Sequence, residues 1–584
     1  MPLPLPHVTF MAPALIALTL AGAAHAQVIY PIDRADILAG SRFDLKVEFP
    51  GAALPDKVKV TVNGKDHEEA LGHTAEFTAK EDGKNASSLM LRGVTLDQPG
   101  HYDVTATDGE HTATVGWNVY AAAGPRRAKN VILMIGDGMS VANVTAARIL
   151  GGGIVQGKYT HRLTMDGLPA MATVGTSGTD SIVTDSANSA SAYNTGHKSA
   201  ASALGVYASR AADTLTHPKV ETFGEIVKRR LGMAVGIVTN TEIQDATPAG
   251  VFAHTRRRSD YIPITDQMLA FDADVVMGGG SASFLPQAVP GSRRKDGKDM
   301  IAAFRGQGYA FAEDAAGLSA AGDAGTTKLL GLFNLGNMDG ALDRFYLKKG
   351  NVGRFPNQPD LTEQVSAALQ VLERKPEGFY LMIESGLIDK FNHPIDWERS
   401  VYDTIMLDKT LKVVLDWAGK REDTLVIVVP DHTHGVSLIG TIRDEVQATE
   451  MRDKVSVYGD AGFPNYPAPD ARGYPPSVDV SRRLAMFYTA TPDYYETFRP
   501  HLDGVNVPAV KSGASGPYVA NEKQNVPGAQ LRVGILPHDA EQAVHSADDG
   551  ILRATGPGSD LLHGFVDNTY VFRAMAEALG LGRP

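Results

Sequence analysis

Three apolar runs of the chain each end in side chains that can bind a metal ion. They are Asp137 after VILMIG, Glu384 after FYLMI, and Asp431 with His432 after TLVIVVP. A single Asp in such a place is more often a turn or helix-cap residue. Three such strand ends, in a chain without cysteine, favour a cation site made of carboxylates and imidazoles.

Two further candidate ligands follow Glu384 in the segment ESGLIDKFNH. Asp389 and His393 are four residues apart, so they share one face if this segment is helical. Taken alone, such a pair is more often a surface contact. Its closeness to Glu384 indicates instead that both side chains bind a cation.

A candidate nucleophile lies in TDSANSASAYNTG, a segment of small residues. Asp185 can cap a helix there, which places Ser186 in the first turn. Free backbone N–H groups and the helix dipole favour a phosphate at that position and stabilise an alkoxide. A plain capped helix is the alternative, and the candidate metal ligands favour the nucleophile.

The elements that must position these residues are the strands of a parallel sheet. Continuous apolar runs alternate with helical stretches after residue 130: NVILMIGDG, AVGIVTN, ADVVMGGG, KLLGLF, FYLMIES and TLVIVVPDH. Such runs are typical of an α/β fold, a parallel-rich central sheet with helices on both faces. Ligands gather at the carboxyl ends of such strands, so we expect the candidate residues at one edge of the sheet.

The rest of the chain divides by composition, as its length of 584 residues leads us to expect. Residues 27–122 alternate apolar and polar side chains in short runs, which predicts a small all-β sandwich. Residues 97–104 resemble the tyrosine corner of immunoglobulin-like domains, although any sandwich can pack a tyrosine on a loop. We assign 123–130 to a linker and 131–584 to the α/β unit, with a Pro-, Gly- and Tyr-rich insertion at about 435–538.

Residues 1–26 have the pattern of a signal peptide. An apolar segment, Phe10 to Ala23, precedes the small, any, small pattern that ends at Ala26, although no Lys or Arg comes before it. We therefore expect a periplasmic or secreted protein. The apolar segment is too short to span a membrane. The net charge of −12, without long charged runs, argues against a nucleic-acid partner.

Five short motifs occur in an order that resembles the alkaline phosphatase family. They are GDGM with Asp137, TDSA with Ser186, QDATPAG with Thr247, ESGLID with Glu384 and PDHTH with Asp431. The similarity extends from about residue 130 to the carboxyl end, so the α/β unit would be the catalytic domain. It implies hydrolysis of phosphate monoesters to alcohol and inorganic phosphate through a phosphoserine intermediate on Ser186.

The resemblance also implies two zinc ions and one magnesium ion in a shared pocket. The first zinc would be bound by Asp389, His393 and His545, the last of these chosen over His538 and His563. The second zinc would be bound by Asp137, Asp431, His432 and Ser186, and magnesium by Asp137, Thr247 and Glu384. Oxygen ligands suit magnesium, whereas mixed imidazole and carboxylate sets suit zinc.

Basic residues of the chain match the phosphate contacts of the family. Arg258, in HTRRRSD, matches the arginine whose fork binds two phosphate oxygens, with Arg256 and Arg257 as alternatives. Lys390 resembles the lysine through which bacterial members contact phosphate by way of water. A surface lysine is an equally natural interpretation of Lys390.

The chain departs from the family at two positions and adds one domain. Pro430 stands before Asp431 where relatives usually have a small residue, and Gly550 follows Asp549 where they usually have an apolar one. The sandwich is not part of the familiar bacterial enzyme, so its binding partner stays open. A homodimer also stays open, because relatives carry a crown-like elaboration near the dimer contact where this chain has its long insertion.

Two other functions fit parts of the sequence. A phosphodiesterase or phosphonate hydrolase of the same superfamily would share the metal pair, but Thr247 and Glu384 suggest a third metal and favour the monoesterase. A non-catalytic surface-binding protein would have a degraded site, whereas no candidate ligand is missing here. A sulfatase would need a C/S-x-P-x-R motif, which TDSANSA lacks.

Overall fold

The computed structural model describes residues 27–419, 421–443 and 462–583. The predicted signal peptide, 1–26, lies outside the described residues. No helix among the described residues is long and apolar enough to cross a bilayer.

The amino-terminal segment forms two packed β-sheets with a short α-helix, His67–Leu71, and a 3-10 helix, Glu81–Gly83. In spatial order, one sheet contains Val28–Tyr30, Phe43–Pro50, Ala86–Val94 and Glu76–Thr78. The other contains Ala35–Leu38, Thr112–Tyr120, Gly100–Thr107, Lys59–Val62 and Lys65–Asp66. Phe43, Leu45, Val104 and Trp117 belong to the single buried core between the sheets. The predicted all-β sandwich is confirmed.

A tyrosine at one corner of this sandwich and a tryptophan in its core each donate a side-chain hydrogen bond to a backbone carbonyl. The Tyr102 hydroxyl donates to the Gln98 carbonyl at 2.9 Å, the bond that a tyrosine corner requires. The buried Trp117 donates from Nε1 to the Pro31 carbonyl at 3.0 Å. The immunoglobulin-like class of the sandwich stays a prediction.

The second unit is built on a ten-stranded sheet. In spatial order its strands are Ala310–Ala312, Leu329–Leu332, Val275–Gly279, Ala234–Glu242, Phe379–Ser385, Asn130–Gly136, Thr424–Val429, Gly550–Thr555, Ala170–Gly175 and Gly564–Asp567. All neighbouring strands are parallel except Gly550–Thr555, which is antiparallel to both of its neighbours. The predicted parallel-rich sheet is confirmed.

Helices cover both faces of this sheet. Along Asn130–Gly136, Ile132 and Met134 belong to one buried cluster, whereas Val131 and Leu133 belong to another. The α-helices are Val141–Gly152, Ser186–Thr195, Phe223–Leu231, Ala246–Ala249, Tyr261–Phe271, Met300–Gly306, Ala315–Asp323, Leu361–Leu372, Leu387–Asn392, Trp397–Ala418 and Asn568–Ala578. A π-helix spans Asp343–Leu347.

The described part of the predicted insertion contains short paired strands and one 3-10 helix, Glu522–Gln524, rather than α-helices. Val436–Arg443 pairs with Arg482–Tyr488, Tyr494–Glu496 with Gln530–Arg532, and Ala509–Lys511 with Tyr518–Ala520. At the base of the insertion, Thr433–His434 pairs with His545–Ser546. This last pairing brings His545 back to the PDHTH motif, although the two lie more than a hundred residues apart.

Candidate active site

Adjacent strands deliver the predicted carboxylates to one edge of the sheet. The strand Asn130–Gly136 pairs in parallel with Phe379–Ser385 on one side and Thr424–Val429 on the other. Asp137, Glu384 and Asp431 therefore leave three neighbouring strands at the same end. All three side chains are buried.

One group of possible metal ligands consists of Asp389, His393, His434 and His545. Their nearest ligand atoms all lie within 4.8 Å of one another. The Nε2 atoms of His393 and His545 are 3.2 Å apart. Each also lies near a carboxylate oxygen of Asp389, at 3.3 Å and 3.4 Å respectively.

The hydrogen bonds of two histidines show that this group fits a cation. Nδ1 of His393 lies 2.7 Å from the Ala543 carbonyl, and Nδ1 of His545 lies 2.8 Å from the Thr184 carbonyl. A carbonyl only accepts, so each Nδ1 carries a proton and each Nε2 is left as the atom that can bind a metal ion. Both Nε2 atoms and the Asp389 carboxylate face one point, and a set of two imidazoles and a carboxylate suits zinc.

A second group surrounds Ser186. His432 Nε2 lies 3.3 Å from Asp137 Oδ1, 3.4 Å from Asp431 Oδ2 and 3.3 Å from Ser186 Oγ. Within the described part of the chain, Asp137 Oδ1 and Asp431 Oδ2 are buried without a hydrogen-bond partner. Buried carboxylate oxygens are costly unless they are paired or bind a metal, so this group also fits a cation.

The pKa shifts of two carboxylates, Asp137 and Asp431, indicate a local deficit of positive charge. At Asp389, by contrast, burial raises the pKa, but His393 and Lys390 outweigh it and lower the pKa below its ordinary value. Burial, followed by the nearby Asp389 and Asp431, raises the pKa of Asp137 well above its ordinary value. Burial and Asp389 raise the pKa of Asp431 to about 7. Protein groups therefore compensate these two carboxylates incompletely, which is the condition that a bound cation relieves.

Thr247 and Glu384 carry further oxygens on elements that pack together: the helix Ala246–Ala249 lies against the helix Ser186–Thr195 and the strand Phe379–Ser385. Glu384 Oε2 accepts hydrogen bonds from the hydroxyls of Thr239 and Thr241, the latter at 2.9 Å. Thr247 is the second residue of the helix Ala246–Ala249, and its buried hydroxyl has no hydrogen-bond partner among the described residues. A hydroxyl and a carboxylate with free oxygen sites are a ligand set that suits magnesium.

Ser186 begins the helix Ser186–Thr195, as the sequence predicts. Asp185 caps it, because its carboxylate accepts from the Asn188 amide at 3.1 Å. The Ser189 hydroxyl donates to the Asp431 carbonyl at 2.6 Å and ties the helix to the neighbouring strand end. The Ser186 hydroxyl is thus buried at a helix N-terminus, where backbone N–H groups favour an anion.

Arg258 and Lys390 converge on one carboxylate, that of Asp245. Arg258 Nη2 lies 2.9 Å from Asp245 Oδ1, and Lys390 Nζ lies 3.3 Å from Asp245 Oδ2. Arg258 Nη1 also lies 3.6 Å from Asp185, beside Ser186. Burial raises the pKa of Asp245, but Lys390 and Arg258 outweigh it and hold the pKa well below its usual range.

The competing basic and imidazole candidates lie elsewhere. Arg256 donates to the Ala201 carbonyl at 2.9 Å, and Arg257 is exposed. His538 and His563 are also exposed, and His563 contacts the Asp560 carbonyl. The structure therefore brings Arg258 and His545 to the site.

Two residues of this site are absent from the sequence prediction. Asp245 orients both basic side chains, and His434 Nε2 lies 2.7 Å from Asp389 Oδ1. His434 therefore orients a candidate metal ligand. The sequence could have indicated both residues. Asp245 precedes Thr247 in the motif QDATPAG, and His434 follows His432 by two residues, which places both histidines on one face of a strand.

The two departures from the family pattern, Pro430 and Gly550, contact each other. A Cβ placed on Gly550 would overlap with Cγ of Pro430 and lie 3.3 Å from its Cδ. Gly550 begins the strand next to the one that ends before Pro430. The missing side chain at 550 therefore makes room for the proline ring that precedes Asp431.

Carboxylates, imidazoles and a serine at a helix N-terminus, gathered at the carboxyl edge of an α/β sheet, define a metal-dependent hydrolase site. The sequence model of the family "Alkaline phosphatase" matches residues 128–581. The chain belongs to the alkaline phosphatase family, and it is a phosphomonoesterase enzyme. The alternative of a non-catalytic binding protein is therefore set aside.

Individual relatives agree with this assignment. Alkaline phosphatase of Escherichia coli K12 is 33% identical over 355 residues, which cover 53% of this chain and 71% of that protein. The tissue-nonspecific isozyme of Gallus gallus is 29% identical over 496 residues, covering 78% and 85% respectively. The crystal structure of Thermus thermophilus alkaline phosphatase has a TM-score of 0.56 at 26% identity, covering 79% of this chain and 93% of that one.

Proposed function

We propose that this chain hydrolyses phosphate monoesters through a phosphoserine intermediate on Ser186. The observation that carries the proposal is the position of the Ser186 hydroxyl, buried at a helix N-terminus and 3.3 Å from His432 Nε2. Arg258 lies at the same helix end, near the capping Asp185. A nucleophile, an anion-binding helix end and a phosphate-binding guanidinium thus meet at one point.

We propose that the site binds two zinc ions and one magnesium ion. One zinc would be held by Asp389, His393 and His545, the other by Asp137, Asp431, His432 and Ser186, and magnesium by Asp137, Thr247 and Glu384. Such ions, when bound, supply Lewis-acid stabilisation of charge on the phosphoryl, attacking and leaving oxygens. His434 keeps Asp389 oriented toward its ion.

Ser186, Arg258 and Lys390 have different roles in the two steps of phosphoryl transfer. Ser186 Oγ gives up its proton to water and attacks phosphorus, a new O–P bond forms, and the P–O bond to the leaving group breaks. The departing alkoxide takes a proton from water, so this step releases the alcohol with no net change in protons. Water then attacks the phosphoserine, which releases inorganic phosphate and returns the serine hydroxyl. In both steps Arg258 binds two equatorial oxygens, and Lys390 adds positive charge nearby.

Turnover of 4-nitrophenyl phosphate tests the proposed nucleophile and metal dependence. We expect EDTA and the substitution Ser186→Ala each to abolish turnover, whereas Ser366→Ala, on the helix Leu361–Leu372, leaves it unchanged. Undiminished turnover in Ser186→Ala would overturn the proposed nucleophile. The metal-loaded protein is expected to contain zinc and magnesium in a ratio near two to one, as the ligand sets require.

Comparison with a diester tests the reaction class. A phosphodiesterase or phosphonate hydrolase of the same superfamily would prefer bis(4-nitrophenyl) phosphate or a phosphonate monoester. Arg258 lies 3.6 Å from Asp185, the residue before Ser186, and Lys390 contacts Asp245 together with Arg258. Two positively charged side chains suit the doubly charged monoester. We therefore expect kcat/KM for the monoester to exceed that for the diester, and the opposite order would overturn the assignment.

We also propose export of the chain, with cleavage after Ala26. The support is the apolar segment Phe10 to Ala23 followed by small residues. Amino-terminal sequencing of the protein from the periplasm or medium is expected to begin at Gln27. A chain that retains Met1 in the cytoplasm would contradict this proposal.

A further inference from the structure

A segment without regular structure joins the nucleophile helix to the rest of the α/β unit. We name residues 201–222 the strap. One edge of the strap holds the backbone of the segment that carries Arg258. Its bonds are Leu204 with Thr255 in both directions, at 2.8 and 2.9 Å, the Arg256 amide to the Thr214 carbonyl at 2.8 Å, and the Arg258 amide to the Ser202 carbonyl at 2.8 Å. The position of Arg258 therefore depends on the strap.

The other edge of the strap lies against the β-sandwich. Asp44 and Lys219 exchange two hydrogen bonds, at 2.8 and 3.0 Å, and Phe43 forms a β-bridge with Val220. The Glu221 amide donates to the Arg42 carbonyl at 2.8 Å. The strap forms some backbone bonds within itself, such as the Val220 amide to the Gly205 carbonyl at 2.9 Å, and the sandwich supplies further partners along its outer edge.

Arg210 is a side chain of the strap that makes several hydrogen bonds to the sandwich. Its Nε donates to Glu81 at 2.7 Å and its Nη1 to the Phe49 carbonyl at 3.0 Å. Its Nη2 donates to the Ser87 carbonyl, and its backbone amide donates to Glu48 at 2.8 Å. One guanidinium therefore joins the strap to three separate elements of the sandwich.

A buried lysine of the sandwich completes this contact. Lys46 Nζ lies 2.6 Å from Glu81, 3.1 Å from Glu48 and 3.0 Å from the hydroxyl of Ser209 in the strap. The Lys46 side chain is only 2% exposed. Burial raises the pKa of Glu81, but hydrogen bonds from Lys46 and Arg210 outweigh it and lower the pKa below its ordinary value. Removing one member of such a network leaves the others buried and unpaired.

We propose that the β-sandwich is part of the phosphate-binding machinery, and that Arg210 is a positioning residue for Arg258. The sandwich holds the Arg210 side chain in place, and Arg210 in turn holds the strap against the sandwich. The strap then sets the position of the backbone that carries Arg258. A displacement of about 1 Å at a substrate-positioning group can cost up to about a hundredfold in activity. The inference rests on the proposed function, in which Arg258 binds phosphate.

A double-mutant cycle on the full chain tests this chain of contacts. Arg258→Ala is expected to raise the Ki for inorganic phosphate, and Arg210→Ala is expected to raise it by about tenfold. In the Arg258→Ala background, Arg210→Ala is expected to change Ki by less than about twofold, because the guanidinium that it positions is already gone. A merely structural role for Arg210 would lower the unfolding temperature without this coupling in Ki.

Arg230→Ala is the matched control. Arg230 also donates from its guanidinium to the sandwich, to the Ala39 carbonyl at 2.8 Å, but from the helix Phe223–Leu231 rather than from the strap. We expect it to leave Ki unchanged. If Arg210→Ala yields no folded protein, Arg210→Lys, which keeps the charge and loses the fork, takes its place in the same cycle with a smaller rise in Ki.

The outcomes separate this inference from the proposed function. An unchanged Ki in the folded Arg210 variant, or an equal effect with and without Arg258, overturns the positioning role alone. An unchanged Ki in Arg258→Ala overturns the phosphate-binding role of Arg258 and the inference with it. A rise in Ki for Arg210→Ala that disappears in the Arg258→Ala background supports both.

Discussion

The contact between Pro430 and Gly550 predicts that a methyl group added at residue 550 destabilises the protein and displaces Asp431. In Gly550→Ala the new Cβ would overlap with Pro430 Cγ and lie 3.3 Å from Cδ. Because carbon atoms in contact are ordinarily about 3.5–4.0 Å apart, the proline ring would have to move by about 1 Å. The ring is bonded to the backbone, so the displacement passes to the next residue, Asp431.

Two magnitudes follow from this geometry. Overpacking of this kind costs about 1–3 kcal/mol in the free energy of unfolding. A shift of about 1 Å in Asp431, a candidate metal ligand, is expected to lower kcat/KM by up to about a hundredfold. Pro430→Ala removes the ring, so the penalty of Gly550→Ala should shrink by at least about 0.5 kcal/mol in that background.

Urea unfolding and turnover of 4-nitrophenyl phosphate measure the two effects. Unfolding can be followed by tryptophan fluorescence, to which Trp397 and Trp417 of the α/β unit and Trp117 of the sandwich contribute. Gly167→Ala is the control, because a Cβ at Gly167 meets nothing within 4 Å. The reasoning would be refuted if Gly550→Ala changed neither the free energy of unfolding nor kcat/KM. It would also be refuted if the loss of stability were the same with and without the proline ring.

The remaining predictions concern two histidines. His434→Ala removes the partner of Asp389 and is expected to weaken zinc affinity by about 10–100-fold, as measured by competition with a chelator; unchanged affinity would count against an orienting role. Burial lowers the pKa of His254, but the nearby Glu225 outweighs burial and raises this pKa above its ordinary value. The stability that this pair contributes is therefore fully present below about pH 6.5 and is lost as the pH rises through the raised pKa. The difference in unfolding free energy between the wild type and His254→Gln should shrink over that interval, and a difference that grows with pH would contradict the assignment.

The sheet and most of the site could be predicted because both depend on local pattern. Continuous apolar runs identify parallel strands, and parallel strands must present their carboxyl ends at one edge. Asp137, Glu384 and Asp431 therefore meet for reasons that the sequence contains. Ser186 follows from the capping residue before it.

What could not be predicted depends on contacts between distant segments without periodicity. His545 reaches the site only because Thr433–His434 pairs with His545–Ser546 across the insertion. The departures at Pro430 and Gly550 were visible in the sequence, but their contact was not. The strap has no hydrophobic period, so its position between the sandwich and Arg258 emerges only from the fold. The immunoglobulin-like class of the sandwich stays a prediction, because it rests on the tyrosine corner alone.

The central claim, a phosphoserine on Ser186, is tested most directly by trapping the intermediate. The metal-loaded protein is quenched in acid during turnover of a phosphate monoester labelled in its phosphoryl group, and its peptides are mapped. The account predicts covalent label in the peptide that contains Ser186 and none in Ser186→Ala. Label on another residue, or label that persists in that variant, would contradict it.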